Sequence, residues 1–211
     1  LDAMAFEGGL PAVEAIVCID TKGLRNYGEK QLMSFDALCE RGRAYAADHP
    51  DALAEVDRLT DNASPDDVCI LVYTSGTTGP PKGAMLTHDN LASNSLTLID
   101  FWRFTDKDVL IHALPIYHTH GLFVASNVTL FARASMIFLP KFDPDVILKL
   151  MARATVMMGV PTFYTRLLAN PGFTRAAAAH MRVFICGSAP LLESTFAEFE
   201  ARTGQRILER Y

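Results

Sequence analysis

The sequence predicts an α/β fold in which a mostly parallel sheet is flanked by layers of helices. Seven short apolar runs are spaced along the 211 residues. Most of them lack polar alternation, which is typical of strands that are buried on both faces. From residue 87 onward helices alternate with these runs, as in a parallel sheet with right-handed crossovers. The predicted strands lie near 15–19, 68–73, 109–113, 135–139, 155–159, 183–186 and 206–208.

Local signals place helices between the strands. Ser34 is a typical N-cap residue, Pro144 and Pro161 suit the first turn of a helix, and Gly204 suits a helix end. Residues 51–67 are acidic and polar, and we interpret them as a connector. The predicted helices are 34–49, 87–101, 121–132, 144–154, 161–169 and 191–203.

Composition argues against several classes of function. Half of the residues are hydrophobic and a fifth are charged, which is ordinary for a globular domain. The net charge of −5 disfavours nucleic-acid binding through a basic surface. No apolar run approaches the ~18 residues of a membrane span, and the N-terminus has no leader pattern. We expect buried, reduced thiols in a cytoplasmic protein, since zinc-site spacing is absent from Cys18, Cys39, Cys69 and Cys186.

A run of hydroxyl and glycine residues follows the strand predicted at 68–73. Glycine lets the backbone approach a ligand closely, and exposed N–H groups and hydroxyls are donors for phosphate oxygens. Lys82 would bring a positive charge close to the same phosphate oxygens. The Walker pattern is absent, because Pro81 stands where that pattern needs Gly and Gly83 follows Lys82. The alternative is a flexible surface loop. The run comprises Thr74, Ser75, Gly76, Thr77, Thr78 and Gly79.

Two further candidate segments follow predicted strands, where ligands bind in α/β sheets. The first contains His118 and His120, which are candidate pocket residues, although each could instead be a core histidine. Metal ligation is not expected, because no further ligands stand at suitable spacing. The second segment alone could be a plain strand-to-helix turn. It comprises Gly187, Ser188, Ala189 and Pro190.

Together these segments resemble the signature motifs of the acyl-adenylate-forming superfamily. Its members include acyl-CoA synthetases, aryl-CoA ligases, luciferases and peptide-synthetase adenylation domains. The segment 73–88, YTSGTTGPPKGAMLTH, carries the most specific match. The resemblance implies that residues 74–79 and Lys82 hold ATP phosphates and that residues 187–190 contact the nucleotide and the acyl group. Tyr211 resembles the family tyrosine that stacks on adenine. The expected catalytic residues are Thr74, Lys82 and His118.

The resemblance also implies a reaction and a domain organisation. With ATP, magnesium and coenzyme A as cofactors, a small carboxylic acid would become acyl-AMP and then a CoA thioester. The chain resembles only part of the N-terminal domain of such a ligase, so we expect it to be inactive alone. Residues 1–67 would be the end of a first subdomain with the acidic connector, and residues 68–211 would carry the phosphate segment and the acid pocket.

A finer resemblance implies that the acid is malonate, which would be converted to malonyl-CoA. Residues 118–122, 160–166 and 187–188 look like malonyl-CoA synthetase, which implies substrate binding by His118, His120, Arg166 and Ser188. Arg166 would hold the distal carboxylate, since a guanidinium pairs bidentately with one; otherwise it is a solvated helix residue. Residues 17–25 and 34–36 look more like long-chain fatty acyl-CoA synthetases. A medium- or long-chain fatty acyl-CoA synthetase is therefore the first alternative. A non-catalytic nucleotide-binding fragment of such an enzyme is the second.

Overall fold

The structure is a computed structural model that describes residues 13–24, 31–74 and 82–210. The chain divides into two compact units, one that ends at Ser64 and one that begins at Pro65. This boundary lies inside the predicted acidic connector. The functional division into 1–67 and 68–211 stays a prediction. In the described ranges, no helix is long and apolar enough to cross a membrane.

The first unit contains two short parallel strands and two helices. Strand β1 (Ile16–Cys18) pairs with β2 (Leu32–Ser34), and α1 (Phe35–Asp48) follows directly. The predicted cap is confirmed, because Ser34 Oγ accepts a hydrogen bond from the Ala37 N–H at 3.0 Å.

The connector interpretation is wrong over α2 (Ala52–Asp61), which is helical. On its exposed surface Arg58 forms an ion pair with Glu55 one turn earlier, at a distance of 2.6 Å. Ala, Leu, Glu and Arg are also strong helix formers.

The second unit opens with an antiparallel hairpin. Strands β3 (Val68–Thr74) and β4 (Lys82–Thr87) form a separate two-stranded sheet. The prediction of a doubly buried parallel strand at 68–73 is therefore wrong, because a short apolar run suits either sheet type. Tyr73 is 69% exposed. The predicted burial of Cys69 is also wrong, since its thiol lies on this exposed hairpin, whereas Cys18 and Cys39 are half-buried and Cys186 is buried.

The remaining strands form one parallel sheet of five, which confirms the predicted fold class. The spatial order is β6-β5-β7-β8-β9, and every neighbouring pair is parallel. The central strand β7 is buried along its whole length, as its lack of polar alternation predicts. The strands are β5 (Val109–His112), β6 (Ser135–Phe138), β7 (Val156–Gly159), β8 (Val183–Gly187) and β9 (Ile207–Arg210).

Helices cover both faces of this sheet, and each face has its own core. On one face α3 (His88–Trp102), a π-helix (His120–Ser126) and α4 (Asn127–Phe131) pack with sheet residues such as Leu110 and Ile185. The other face packs through residues such as Ile111 and Phe184. It is covered by α5 (Pro144–Met151), α6 (Pro161–Leu168), α7 (Arg175–Ala178) and α8 (Glu193–Thr203).

Several predicted helix signals have their expected roles. Pro144 and Pro161 occupy the first turns of α5 and α6. Gly204 ends α8 with φ of 74°, the left-handed conformation that glycine adopts without strain. The helix predicted at 121–132 is instead a π-helix followed directly by α4.

Asp108 links the amino ends of three strands. Its carboxylate, which is 3% exposed, accepts hydrogen bonds from Thr155 Oγ1 at 2.8 Å and from Arg182 at 2.8 and 3.1 Å. The Thr105 N–H donates a further bond at 2.8 Å. Burial alone would raise the pKa of Asp108, but these hydrogen bonds outweigh it and lower the pKa below 3.8. Val109, Thr155 and Arg182 stand at the starts of β5, β7 and β8, so one carboxylate aligns all three.

We expect Asp108→Asn to lower the free energy of unfolding by about 2 kcal/mol, because the buried side chain loses its charge-assisted hydrogen bonds to Arg182, which is itself partly exposed. Urea denaturation at pH 7 measures this loss. The folded pKa is below the unfolded one, so the contribution is present above pH 3.8 and is lost as the pH falls further. Asp106→Asn, an exposed neighbour, is the control. Equal stability of the two variants would contradict the role of Asp108.

Candidate functional site

Three segments meet at the carboxyl edge of the parallel sheet. The segment with His118 and His120 follows β5. Gly187 ends β8 and Ser188 comes directly after it, while Arg210 ends β9. Because the strands are parallel, their carboxyl ends lie along one edge, the usual ligand side of such sheets. The sheet thus assembles residues that are far apart in sequence.

A hydrogen bond joins the two predicted pocket segments. His120 Nδ1 lies 3.0 Å from Ser188 Oγ, across 68 positions of sequence. His118 is exposed, and its Nδ1 accepts a hydrogen bond from the His120 N–H at 3.3 Å. The structure therefore brings together three of the four predicted substrate-binding residues.

The turn after β8 is shaped by close packing. Ser188 has a φ of 69°, a left-handed conformation that is strained for a non-glycine residue and is often found at functional sites. A Cβ added to Gly187 would lie 2.9 Å from Arg210 O and 3.0 Å from His120 Cε1, so only glycine fits. Ala189 is half-buried and Pro190 is exposed; the two lead the chain toward α8.

Hydrogen bonds at the start of the π-helix fix the backbone next to His120. His112, at the end of β5, is 1% exposed, and its Nε2 lies 3.0 Å from Gly121 O and 3.1 Å from Ser126 Oγ. Ser126 Oγ donates to the same Gly121 carbonyl at 2.9 Å. Wide helical turns of this type occur frequently at functional sites. Sequence reasoning missed His112; the available signal was a histidine at the end of an apolar strand.

The His120 imidazole is neutral at pH 7. Burial, followed by the nearby positive charges of Arg210, His118 and His112, lowers the pKa of His120 to about 4. Only 3% of the residue is exposed, and Nε2 has no hydrogen-bond partner among the described residues. A buried polar atom of this kind is expected to have a partner, which here is a candidate ligand.

The hairpin holds the ends of the predicted phosphate segment. Thr74 and Lys82 are cross-strand partners, so residues 75–81 connect two fixed points. The Tyr73 ring lies against Gly83, where an added Cβ would be 3.3 Å from the ring. The roles of Thr74 and Lys82 stay predictions. The predicted residues Ser75, Gly76, Thr77, Thr78, Gly79 and Tyr211 lie outside the described residues.

Arg166 lies elsewhere at this edge. Its guanidinium stands 4.7 Å from the centroid of the Phe142 ring and lines a cavity of about 460 Å³ together with Tyr117. Within the described part of the chain, no hydrogen bond or ion pair joins Arg166 to His120 or Ser188. Its predicted grip on a carboxylate stays a prediction.

Arg210 is a second cation, and sequence reasoning missed it. Its side chain is half-buried and lines a cavity of about 270 Å³. Desolvation by burial lowers the pKa of its guanidinium. The signal that could have found it is a charged residue at the carboxyl end of a buried parallel strand.

The described residues contain no group of three or more His, Cys, Asp or Glu side chains that could hold a metal ion.

Comparison with known proteins supports the motif resemblance. The family profile described as "AMP-binding enzyme" matches residues 7–211. The chain belongs to the AMP-binding enzyme family. The resemblance inferred from the three motifs is thereby confirmed at the level of the family.

One curated relative and two solved structures show which proteins of this kind the chain is similar to. The malonate–CoA ligase of Arabidopsis thaliana is 37% identical over 166 residues, which are 69% of this chain and 27% of that protein. Apo MatB from Rhodopseudomonas palustris has 73% identity and a TM-score of 0.68 over 70% of this chain and 29% of its own. A malonyl-CoA ligase with methylmalonyl-CoA and AMP bound has 38% identity and a TM-score of 0.67, covering 72% and 34%. The chain thus spans about a quarter of the length of the curated relatives it matches.

We expect the His120 ring to remain neutral from pH 8 to pH 5 in the folded chain. Long-range ¹H–¹⁵N NMR spectra of histidine-labelled protein measure this, and a His120→Asn variant assigns the signal. In urea the same ring should titrate near its ordinary value of 6.5. Because the folded pKa is lower, the free energy of unfolding should fall as the pH drops from 6.5 toward 4. A folded-state midpoint near 6.5 would contradict the buried, neutral His120.

Proposed function

We propose that the chain is the phosphate-binding and acid-binding portion of a ligase that joins malonate to coenzyme A with ATP. The observation that carries this proposal is the hydrogen-bonded His120–Ser188 pair at the carboxyl edge of the sheet. The likeness to malonate–CoA ligases supports it.

The proposed reaction has two steps. A carboxylate oxygen attacks the α-phosphate of ATP, which gives acyl-AMP and releases pyrophosphate. The coenzyme A thiol then attacks the acyl carbon and displaces AMP. The attacking carboxylate needs no general base, so the protein acts mainly by positioning its substrates and offsetting their charge. A magnesium ion bound to ATP would offset part of the triphosphate charge.

The residues of the chain have distinct parts in this scheme. The hairpin fixes Thr74 and Lys82 at the two ends of the phosphate segment, where Lys82 supplies a positive charge. Neutral His120 and Ser188 offer hydrogen bonds to a polar acid at the other side of the site. His118 Nδ1 accepts a hydrogen bond from the His120 backbone N–H and so holds that part of the backbone in place. Residues 187–190 would contact the nucleotide and the acyl group.

A short polar acid suits this site better than a fatty acid. A carboxylate taken out of water needs hydrogen-bond donors, whereas an alkyl chain gains nothing from a buried imidazole. The likeness of residues 17–25 to long-chain fatty acyl-CoA synthetases keeps a longer acid as the alternative. The expected partners are a small carboxylic acid, ATP and coenzyme A, and the cytoplasmic location stays a prediction.

We expect the full-length ligase that contains this chain to form a thioester with malonate at least tenfold more efficiently than with octanoate. Ser188→Gly removes the His120 partner and relieves the backbone strain, so kcat/KM for malonate should fall about tenfold while the fold is retained. Arg133→Gly is a matched control, because Arg133 also has a positive φ, of 56°, and lies at the turn before β6.

If the wild-type ligase uses octanoate more efficiently than malonate, malonate is not its acid substrate. Equal effects of the Ser188 and Arg133 variants on malonate turnover would show that the His120–Ser188 pair does not serve the site.

A further inference from the structure

The carbonyl of Gly121 accepts hydrogen bonds from two side chains. His112 Nε2 lies 3.0 Å from Gly121 O, and the Ser126 hydroxyl donates to the same oxygen at 2.9 Å. A carbonyl oxygen only accepts, so His112 Nε2 carries a proton. Burial lowers the pKa of His112, which favours a neutral ring with that single proton. Ser126 Oγ, 3.1 Å from Nε2, can share the proton while its own hydrogen points to Gly121 O.

The bond from Ser126 is specific to the π-helix. Serine and threonine in an α-helix usually donate to the carbonyl four residues earlier. Thr129 does so in α4, where its Oγ1 lies 2.7 Å from Ala125 O. Ser126 instead donates to the carbonyl five residues earlier, which is the spacing of π-helical hydrogen bonds. Both side chains that bind Gly121 O therefore stabilise the wider turn.

The direction of the His120 side chain depends on this wider turn. The π-helix accommodates one residue more than an α-helical turn, and one residue corresponds to about 100° of rotation. In an α-helical register, the residues before Gly121 would rotate by about that angle relative to those after it. His120 is the first residue of the π-helix, so its ring would turn away from Ser188 Oγ, which now lies 3.0 Å from Nδ1.

The other ring nitrogen of His112 argues against a role in packing alone. His112 is 1% exposed and its ring lies 4.8 Å from that of Phe138. Among the described residues, Nδ1 has no hydrogen-bond partner. A buried polar atom without a partner costs free energy, so an apolar side chain would fill the same space at lower cost. What a histidine adds here is the Nε2 donor to Gly121 O.

We propose that His112 is a positioning residue: with Ser126 it holds the segment after β5 in the π-helical register and so directs His120 toward Ser188. Because His112 is 1% exposed, it acts through His120 and not by contact with a substrate. The consequence for turnover rests on the proposed ligase function, whereas the consequence for the His120 ring rests on the hydrogen bonds alone.

The pKa of His120 reports directly on its position. We expect it to be about 4 in the wild-type chain and to rise toward 6.5 in His112→Leu and in Ser126→Ala, because the ring leaves its buried position. NMR titration of the histidine-labelled 211-residue chain measures this. His112→Gln keeps an N–H donor and should stay close to the wild type. Thr129→Val is the matched control, since it removes a buried hydroxyl bond in the adjoining α4.

Two results of the titration would overturn the inference, whichever acid the ligase uses. One is a His120 pKa that stays near 4 in both His112→Leu and Ser126→Ala. The other is an equal rise in Thr129→Val, which would show that any loss of a buried hydrogen bond in this region displaces the ring. Ser126→Ala makes the smaller change of the two, so it decides the question if the leucine variant does not fold.

Kinetics of the full-length ligase test the consequence for turnover. We expect His112→Leu to lower kcat/KM for malonate about tenfold, as Ser188→Gly does, because both break the His120–Ser188 pair. The double variant should fall no further than either single variant, since the two residues act through one contact. Additive losses would overturn the positioning role. A wild-type preference for octanoate contradicts the proposed function, and the titration then decides the role of His112.

Discussion

The parallel alignment of the five strands is the constraint on which the site depends. Parallel ladders between neighbouring strands hold it, and Asp108 adds to them at the amino edge, where its carboxylate accepts hydrogen bonds from Thr155 and Arg182 at the starts of β7 and β8. Strands that start together and run in one direction also end together. The segments that follow β5 and β8 therefore meet the end of β9 at the opposite edge, where His120, Ser188 and Arg210 become neighbours.

The sheet could be predicted from sequence because burial on both faces leaves a plain signal. β5 to β9 are apolar runs with caps and helices between them, and their predicted positions hold to within about two residues. β3 carries the same kind of run, yet it pairs with Lys82–Thr87 in an exposed hairpin. That pairing depends on a neighbour whose lysine and glycine give no strand signal. Helix α2 was missed although Leu53, Val56 and Leu59 recur at helical spacing, because the acidic residues around it were interpreted as a connector.

Some residues of the candidate site could likewise be predicted from sequence, and others could not. His118, His120 and Ser188 stand in segments whose order resembles a known family, and the structure brings them into contact. Arg210 and His112 are isolated residues at strand ends, and only the register and the π-helix reveal what each one faces. Arg166 shows the converse, since a motif drew attention to a residue that the fold places beside Phe142. Motifs thus identify segments, but side-chain direction decides which residues share a cavity.

The central claim is that the hydrogen-bonded His120–Ser188 pair at the carboxyl edge of the sheet serves the binding of a short polar acid. A crystal structure of the full-length ligase with malonate and a non-hydrolysable ATP analogue tests this most directly. The account predicts a malonate oxygen within hydrogen-bonding distance, about 3 Å, of His120 or Ser188. Malonate bound elsewhere, without contact to His120 or Ser188, would contradict it.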